Sequence, residues 1–386
     1  MYFNINTSYK IKMRDIDYWV WFSSLSGLGS FKARKLLEAY NHPKFIYDLS
    51  EAELKENPQL TEKNISELLN REKREKINKV NDLMVKNDIK AVTLFDCSYP
   101  EILKQIYDPP IVLYYKGSFR LSEFSIAMVG SRKTTNYGAY TAKKLSYELA
   151  LRGVQIISGL ARGIDSIAHE GCHDAGGKTV AVLGCGLDYI YPPENFYLYE
   201  NILKAGGLIL SEYPPGTPPL QHHFPARNRI ISGLSSGVLV VEAAKRSGSL
   251  ITASFALEQG REVFAVPGNI DCVYSKGTNQ LIRDGAKMVL GIEDILEEFD
   301  YQVETETSNS DGILKKNSTD IEATIYRGLS TEEIRIVKII RKGIRNIDEI
   351  IESSNVSAKD INNILFMLEM KGVIVQLPGK IFEMSM

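Results

Sequence analysis

Cysteine is scarce in this chain. Cys97, Cys172, Cys185 and Cys272 are scattered, and no two have C-x-x-C spacing. That excludes a disulfide framework or a Cys-rich zinc site and fits a reducing compartment. Excess charge of one sign is also lacking. Lys and Arg total 46 against 48 Asp and Glu, so no global field draws in a polyanion, and phosphate binding would need a local patch. No apolar run approaches the ~18 residues of a membrane span. The opening MYFNINTSYKIKM has no signal-peptide apolar core. The expectation is a cytoplasmic protein without membrane attachment. Catalytic signatures are missing as well: there is no GxSxG elbow and no defensible Ser-His-Asp order.

At 386 residues the chain is expected to hold two or three domains. Residues 14–75 read as helical. Within them Leu25-Ser26-Gly27-Leu28-Gly29-Ser30 has the form of a helix-hairpin-helix turn, whose backbone N–H groups can face a phosphate. A plain helix–helix turn with a Gly C-cap explains a single hairpin better. A strand-like run follows at Ile111 to Tyr115. Buried strands are then predicted at 125–130, 154–158, 178–184, 207–211, 237–241, 261–266 and 287–290. Helices are predicted between them, at 138–152, 164–175, 194–205, 226–234, 249–259 and 277–285. Alternating apolar strands and helices predict a doubly wound, mostly parallel, Rossmann-like α/β sheet.

The expected division is 1–80 as a helical helix-hairpin-helix or SAM-like domain and 81–300 as the Rossmann-like domain. Residues 301–325, polar and poor in aromatics, are a linker. Residues 326–386 follow as a winged helix with its wing turning at Pro378-Gly379.

In such a sheet, ligands bind at the carboxyl ends of the strands, near the reversal of strand order. The first strand there ends in Gly130-Ser131-Arg132, which offers N–H groups, a hydroxyl and a guanidinium suited to phosphate. It is not GxGxxG, and no acidic residue ends the next strand, so no dinucleotide cofactor is expected. SGLARGIDSIAH supplies a second glycine-rich loop, Gly159 to Gly163, with Arg162 as a phosphate ligand and Asp165 placed to cap the following helix.

Residues 211–253 are the densest stretch. Gln221, His222 and Phe224 precede Arg227-Asn228-Arg229, and Lys245-Arg246-Ser247-Gly248-Ser249 opens a helix. An aromatic beside guanidiniums suits a platform for single-stranded nucleic acid. A Ser-Gly-Ser turn at a helix N-terminus suits an anion. The bland alternative makes Phe224 core, the arginines a solvated helix start and one serine a simple cap.

Together GSR, SGLARGIDSIAH and the 211–253 segment resemble the DNA-processing protein A family (DprA, also called Smf) over roughly residues 90–300. The resemblance implies single-stranded DNA binding, protection of incoming DNA and loading of the recombinase RecA in natural transformation. It also implies a homodimer built on the sheet domain. From the residues, no cofactor, metal or catalysis is expected. Gln221 stands where several family members carry Lys, which removes a fixed charge.

Two competing patterns are weaker. His169-Glu170-Gly171-Cys172-His173 matches HExxH, but Gly171 weakens the helix and no third ligand follows, so the match is read as chance with His169 packing in the helix. Nucleoside-monophosphate phosphoribohydrolases of the lysine-decarboxylase-like type carry PGGxGTxxE. Here the matching region reads SGSLITASFALEQG and Glu258 falls out of frame. Residues 328–386 carry eight basic and eight acidic side chains, and the recognition helix from Ser357 to Met370 has one Lys against Asp360 and Glu369. A duplex reader needs phosphate neutralisation and base-edge donors. The winged helix is therefore expected to contact protein rather than duplex.

Overall fold

The computed structural model describes residues 13–25, 28–299, 330–341, 346–354, 356, 358–370, 373–377 and 380–384. The hairpin residues Ser26 and Gly27, the linker 301–325 and the wing turn Pro378-Gly379 lie outside them. The chain forms two compact units, Met1–Gln302 and Val303–Met386.

The first unit opens with six helices: α1 (Asp15–Ser23), α2 (Gly29–Tyr40), α3 (Pro43–Tyr47), α4 (Glu51–Lys55), α5 (Glu62–Leu68) and α6 (Arg71–Lys86). In α1 the run Trp19-Val20-Trp21-Phe22 is wholly buried. Ser50 and Thr61 start α4 and α5 with reciprocal capping boxes to Glu53 and Asn64, which satisfies the orphan N–H groups of such short helices. The six helices share a core with Tyr114, Leu183 and Ile209 of the sheet.

The sheet has nine strands: β1 (Lys90–Thr93), β2 (Val112–Gly117), β3 (Ser125–Val129), β4 (Gln155–Ser158), β5 (Val180–Leu183), β6 (Leu208–Ser211), β7 (Gly237–Val240), β8 (Glu262–Ala265) and β9 (Lys287–Met288). Their order is β1-β2-β6-β5-β4-β3-β7-β8-β9. Strands β3 to β9 are parallel, while β1 and β2 are antiparallel additions at one edge. The predicted strands and helices from 125 onward all appear, and β1 is an addition to them.

Helices α7 (Glu101–Lys104), α8 (Asn136–Leu151), α9 (Ile164–Asp174), α10 (Phe196–Lys204), α11 (His223–Gly233), α12 (Gly248–Glu258), α13 (Lys276–Arg283) and α14 (Glu293–Leu296) complete the unit. Alternation along the strands explains the layering. In β3, Ile126 and Met128 face α8 and α9, while Ala127 and Val129 face α11 and α12. Burial on both faces makes these strands continuous apolar runs.

In the second unit α15 (Thr331–Arg341), α16 (Ile347–Ser354) and α17 (Ala358–Met370) pack on the antiparallel pair β10 (Ile374–Leu377) and β11 (Ile381–Met384). Ile336, Ile350, Leu365 and Phe382 centre its core. Three helices and a two-stranded wing make a winged helix. Among the described residues, no helix is long and apolar enough to cross a membrane.

Candidate nucleic-acid interface

Strand order reverses at β3: β4 lies on one side of it and β7 on the other. The loops leaving these strands part there and open a crevice. The crevice is a cleft of about 700 Å³, and it gathers the turn after β3, Ala161 and Asp165 after β4, the start of α11 and the Ser247-Gly248-Ser249 turn.

Two glycines in the loops after β3 and β4 serve close approach. A Cβ on Gly130 would sit 2.6 Å from a side-chain carbon of Ile164. Gly163 has φ +75, and a Cβ there would meet the Ser131 carbonyl. The Ile164 N–H donates to that same carbonyl at 3.2 Å. The two glycine-rich loops are thus laced together, which leaves Arg132 and Lys133 exposed on the cleft. Ser131 spends its hydroxyl within the turn, donating to the Lys133 carbonyl at 2.7 Å.

Asp165 departs from its expected role. Gly163 is the N-cap of α9, and Asp165 is the second residue of the helix. Its carboxylate reaches back to accept the N–H groups of Gly159 at 3.2 Å and Ala161 at 3.4 Å, so it braces the loop rather than the helix end. Burial raises its pKa, opposed by the Arg227 guanidinium and by those N–H groups.

Arg227 and Arg229, expected as exposed contacts for nucleic acid, are both buried. Arg227 donates to the carbonyls of Gly159 and Val182. Desolvation lowers its pKa to about 10, so it keeps its charge at neutral pH and lends a positive field to the cleft floor it lines. Arg229 is turned away altogether. It grips Glu212 bidentately at 2.6 and 2.8 Å and donates to the Asp108 carbonyl at 3.0 Å. Its guanidinium is engaged by Glu212 and Asp108 and does not line the cleft.

Phe224 stands in the first turn of α11, half-buried on the cleft wall. The Arg132 guanidinium carbon lies 5.5 Å from its ring centroid, within cation–π range. Tyr191 stands beside Phe224 with centroids 5.3 Å apart. Among the described residues no carboxylate forms a salt bridge with Arg132. A cation free of carboxylates over one ring, with a second ring beside that one, can take a phosphate while a base stacks nearby.

The remaining candidates divide. Gln221 is exposed on the rim, and Asn228 donates to the Gly248 carbonyl at 3.3 Å, joining α11 to the start of α12. Ser247 caps α12, accepting the Ser249 N–H at 3.4 Å, so Ser247, Gly248 and Ser249 present a helix N-terminus to the cleft. Gly159 and Arg162 border a small side recess, where Arg162 pairs with Glu194 at the surface. His222 is exposed and stands edge-on to the buried His223, which stacks on Tyr213 at 4.0 Å. Gly163, His222, Lys245 and Arg246 do not line the cleft. Lys133 and Tyr191 do, and neither is singled out by the sequence reading. The aromatic-proline run Tyr189-Ile190-Tyr191-Pro192 after β5 is the signal that marks Tyr191.

Carboxylates near the cleft are engaged or distant. Glu242 is buried and takes the hydroxyls of Thr134 at 2.8 Å and Thr135 at 2.5 Å and the Thr135 N–H at 3.0 Å. Glu258 is exposed at the far end of α12, about 15 Å from its start. His169 lies in the core, bonded to the Thr179 hydroxyl at 2.7 Å, and burial drives its pKa down to about 3. Among the described residues, no three His, Cys, Asp or Glu side chains gather as a metal site.

Fold and cleft define a class: a doubly wound binding module with a cationic, aromatic carboxyl edge and an appended winged helix. The family described as DNA recombination-mediator protein A matches residues 90–300, and the DprA winged helix domain matches residues 322–380. The chain belongs to that DprA/Smf family. It is 37% identical over 312 residues to protein Smf of Synechocystis, covering 75% of this chain and 78% of that one. It is 48% identical over 212 residues to DNA processing protein DprA of Streptococcus pneumoniae, covering 55% and 74%. Among solved structures, that of DprA from S. pneumoniae superposes with a TM-score of 0.61 at 38% identity, over 74% of this chain and 99% of the other. The Helicobacter pylori DNA processing protein A, whose structure is described for its single-stranded DNA binding mode, gives 0.50 at 33% identity, over 55% and 98%.

Proposed function

We propose that this cleft binds single-stranded DNA, and that the chain protects incoming strands and loads the recombinase RecA during natural transformation. One observation carries the reading: an unpaired Arg132 lies 5.5 Å from the Phe224 ring, with Tyr191 beside it, at the reversal of strand order. The described binding mode of the H. pylori relative supports the same ligand. The phosphate ligands of this reading are Arg132, Lys133 and the N-terminus of α12, backed by the buried charge of Arg227. Phe224 and Tyr191 are the stacking surface. Residues 81–300 are the binding domain in this reading, with the N-terminal helices and the winged helix as appended modules. The protein acts as a cytoplasmic homodimer joined through the sheet domain, without catalysis. Duplex binds more weakly because its bases are already stacked and cannot reach the rings. Fluorescence anisotropy with matched single- and double-stranded oligonucleotides tests this. Equal affinity for both would count against it.

A further inference from the structure

A second cleft, of about 370 Å³, lies between α6 and the loop Pro214–Thr217. Its floor is Val20, Ile77 and Leu83, and its rim carries Lys76 and Lys79. Both lysines are exposed and form no ion pair or hydrogen bond with the described residues. The third lysine, Lys73, is held by Glu67 and by the Ser24 carbonyl at 2.9 Å. Neither a carboxylate nor an aromatic ring lines this cleft. It therefore suits a phosphate and offers no surface on which a base could stack.

The loop is anchored by hydrogen bonds and runs from one cleft to the other. Gly216 donates to the Asp188 carboxylate at 2.8 Å, and the Thr217 carbonyl accepts the Gly186 N–H at 2.9 Å. A Cβ on Gly216 would lie 3.3 Å from Leu83, so the loop rests on α6. A few residues on, Pro219 and Gln221 form the rim of the first cleft. The loop leaves β6, which stands three strands from β3 along the same carboxyl edge. At the usual strand spacing this is about 14 Å, which a stacked single strand covers in about four nucleotides.

We propose that the lysine-rimmed cleft at Lys76 and Lys79 is a second, base-independent contact for the phosphodiester backbone of the strand held in the first cleft. The inference rests on the reading of the first cleft as a single-strand site. It makes α6 part of the nucleic-acid interface and gives binding a length dependence.

The test uses the full chain, fluorescent oligothymidines of about six and about twelve nucleotides, and a third probe in which the second half is abasic. Wild type is expected to bind both longer probes about fivefold more tightly than the short one. Lys76→Ala/Lys79→Ala is expected to lose that gain, keep wild-type affinity for the short probe, and show a salt slope on the long probes lower by about 1.4. A gain retained by the double variant, or absent from wild type, overturns the proposal. If the gain is retained and a polyglutamate peptide binds wild type but not the double variant, the cleft belongs to an acidic protein partner instead. Arg132→Ala separates the two readings. Its loss of short-probe binding upholds the first cleft whatever the lysine variant does, and its wild-type binding of that probe removes the first cleft.

Discussion

Arg229 holds Glu212 through two parallel hydrogen bonds of 2.6 and 2.8 Å, joining α11 to the segment after β6. The pair fixes the start of α11, and with it Phe224, relative to the sheet. Its contribution is to architecture, so its removal is predicted to register in stability. Arg229→Ala leaves a partly buried carboxylate uncompensated and is expected to cost about 3 kcal/mol, the low end for broken buried pairs because Glu212 keeps some solvent access. Urea denaturation measures this. The folded fraction should bind short oligonucleotides within about threefold of wild type, about 0.65 kcal/mol.

His169 predicts an acid sensitivity. Its folded pKa is about 3, depressed by burial, against about 6.5 unfolded. Between those values the unfolded chain binds the extra proton. The stability is complete above about pH 6.5 and declines as pH falls, by about 1.4 kcal/mol per unit from this group. His223, also depressed by burial, adds in the same direction. The slope of unfolding free energy between pH 6 and 4 should be shallower in His169→Gln by about that amount. An unchanged slope would remove His169 as the cause.

Gln221 sits uncharged on the rim of the first cleft. Gln221→Lys is expected to tighten single-strand binding and to steepen its salt dependence by about 0.7. Titrations at several salt concentrations give both quantities, and an unaltered slope would place the side chain outside the strand's path.

The winged helix is expected to be dispensable for this binding, since eight basic side chains face eight acidic ones across residues 328–386. Phe299 packs edge-on against Phe124 with ring centroids 4.9 Å apart, so the cut belongs after Gln302 to preserve the sheet unit's core. Single-strand affinity of this truncation should stay within about tenfold of the full chain, about 1.4 kcal/mol. A larger loss would give the module a direct part in binding.

Much of the fold is legible in the sequence because β3 to β8 are apolar runs bounded by glycines and polar turns. Strand β1 is not, since Lys-Ala-Val-Thr is a short edge strand with only Val92 and Thr93 buried. The site is legible as a set of loops, because the topology of a doubly wound sheet brings strand ends to one edge. The fate of each arginine is not. In Arg227-Asn228-Arg229 the spacing marks a helix start but says nothing of the carbonyls of Gly159 and Val182 or of Glu212, which come from distant segments. Asp165 is similar: the residue type announces a bond to backbone N–H groups, and only the turn at Gly163 decides which ones.

The central claim is that Arg132 and Phe224 grip one strand by different physics, and the salt dependence of their variants tests it most directly. Arg132→Ala should weaken binding of every single-strand sequence and flatten the salt slope by about 0.7. Phe224→Ala should lose about 1–3 kcal/mol with the slope unchanged. If both variants bind single strands with wild-type affinity and slope, the cleft is not the DNA site.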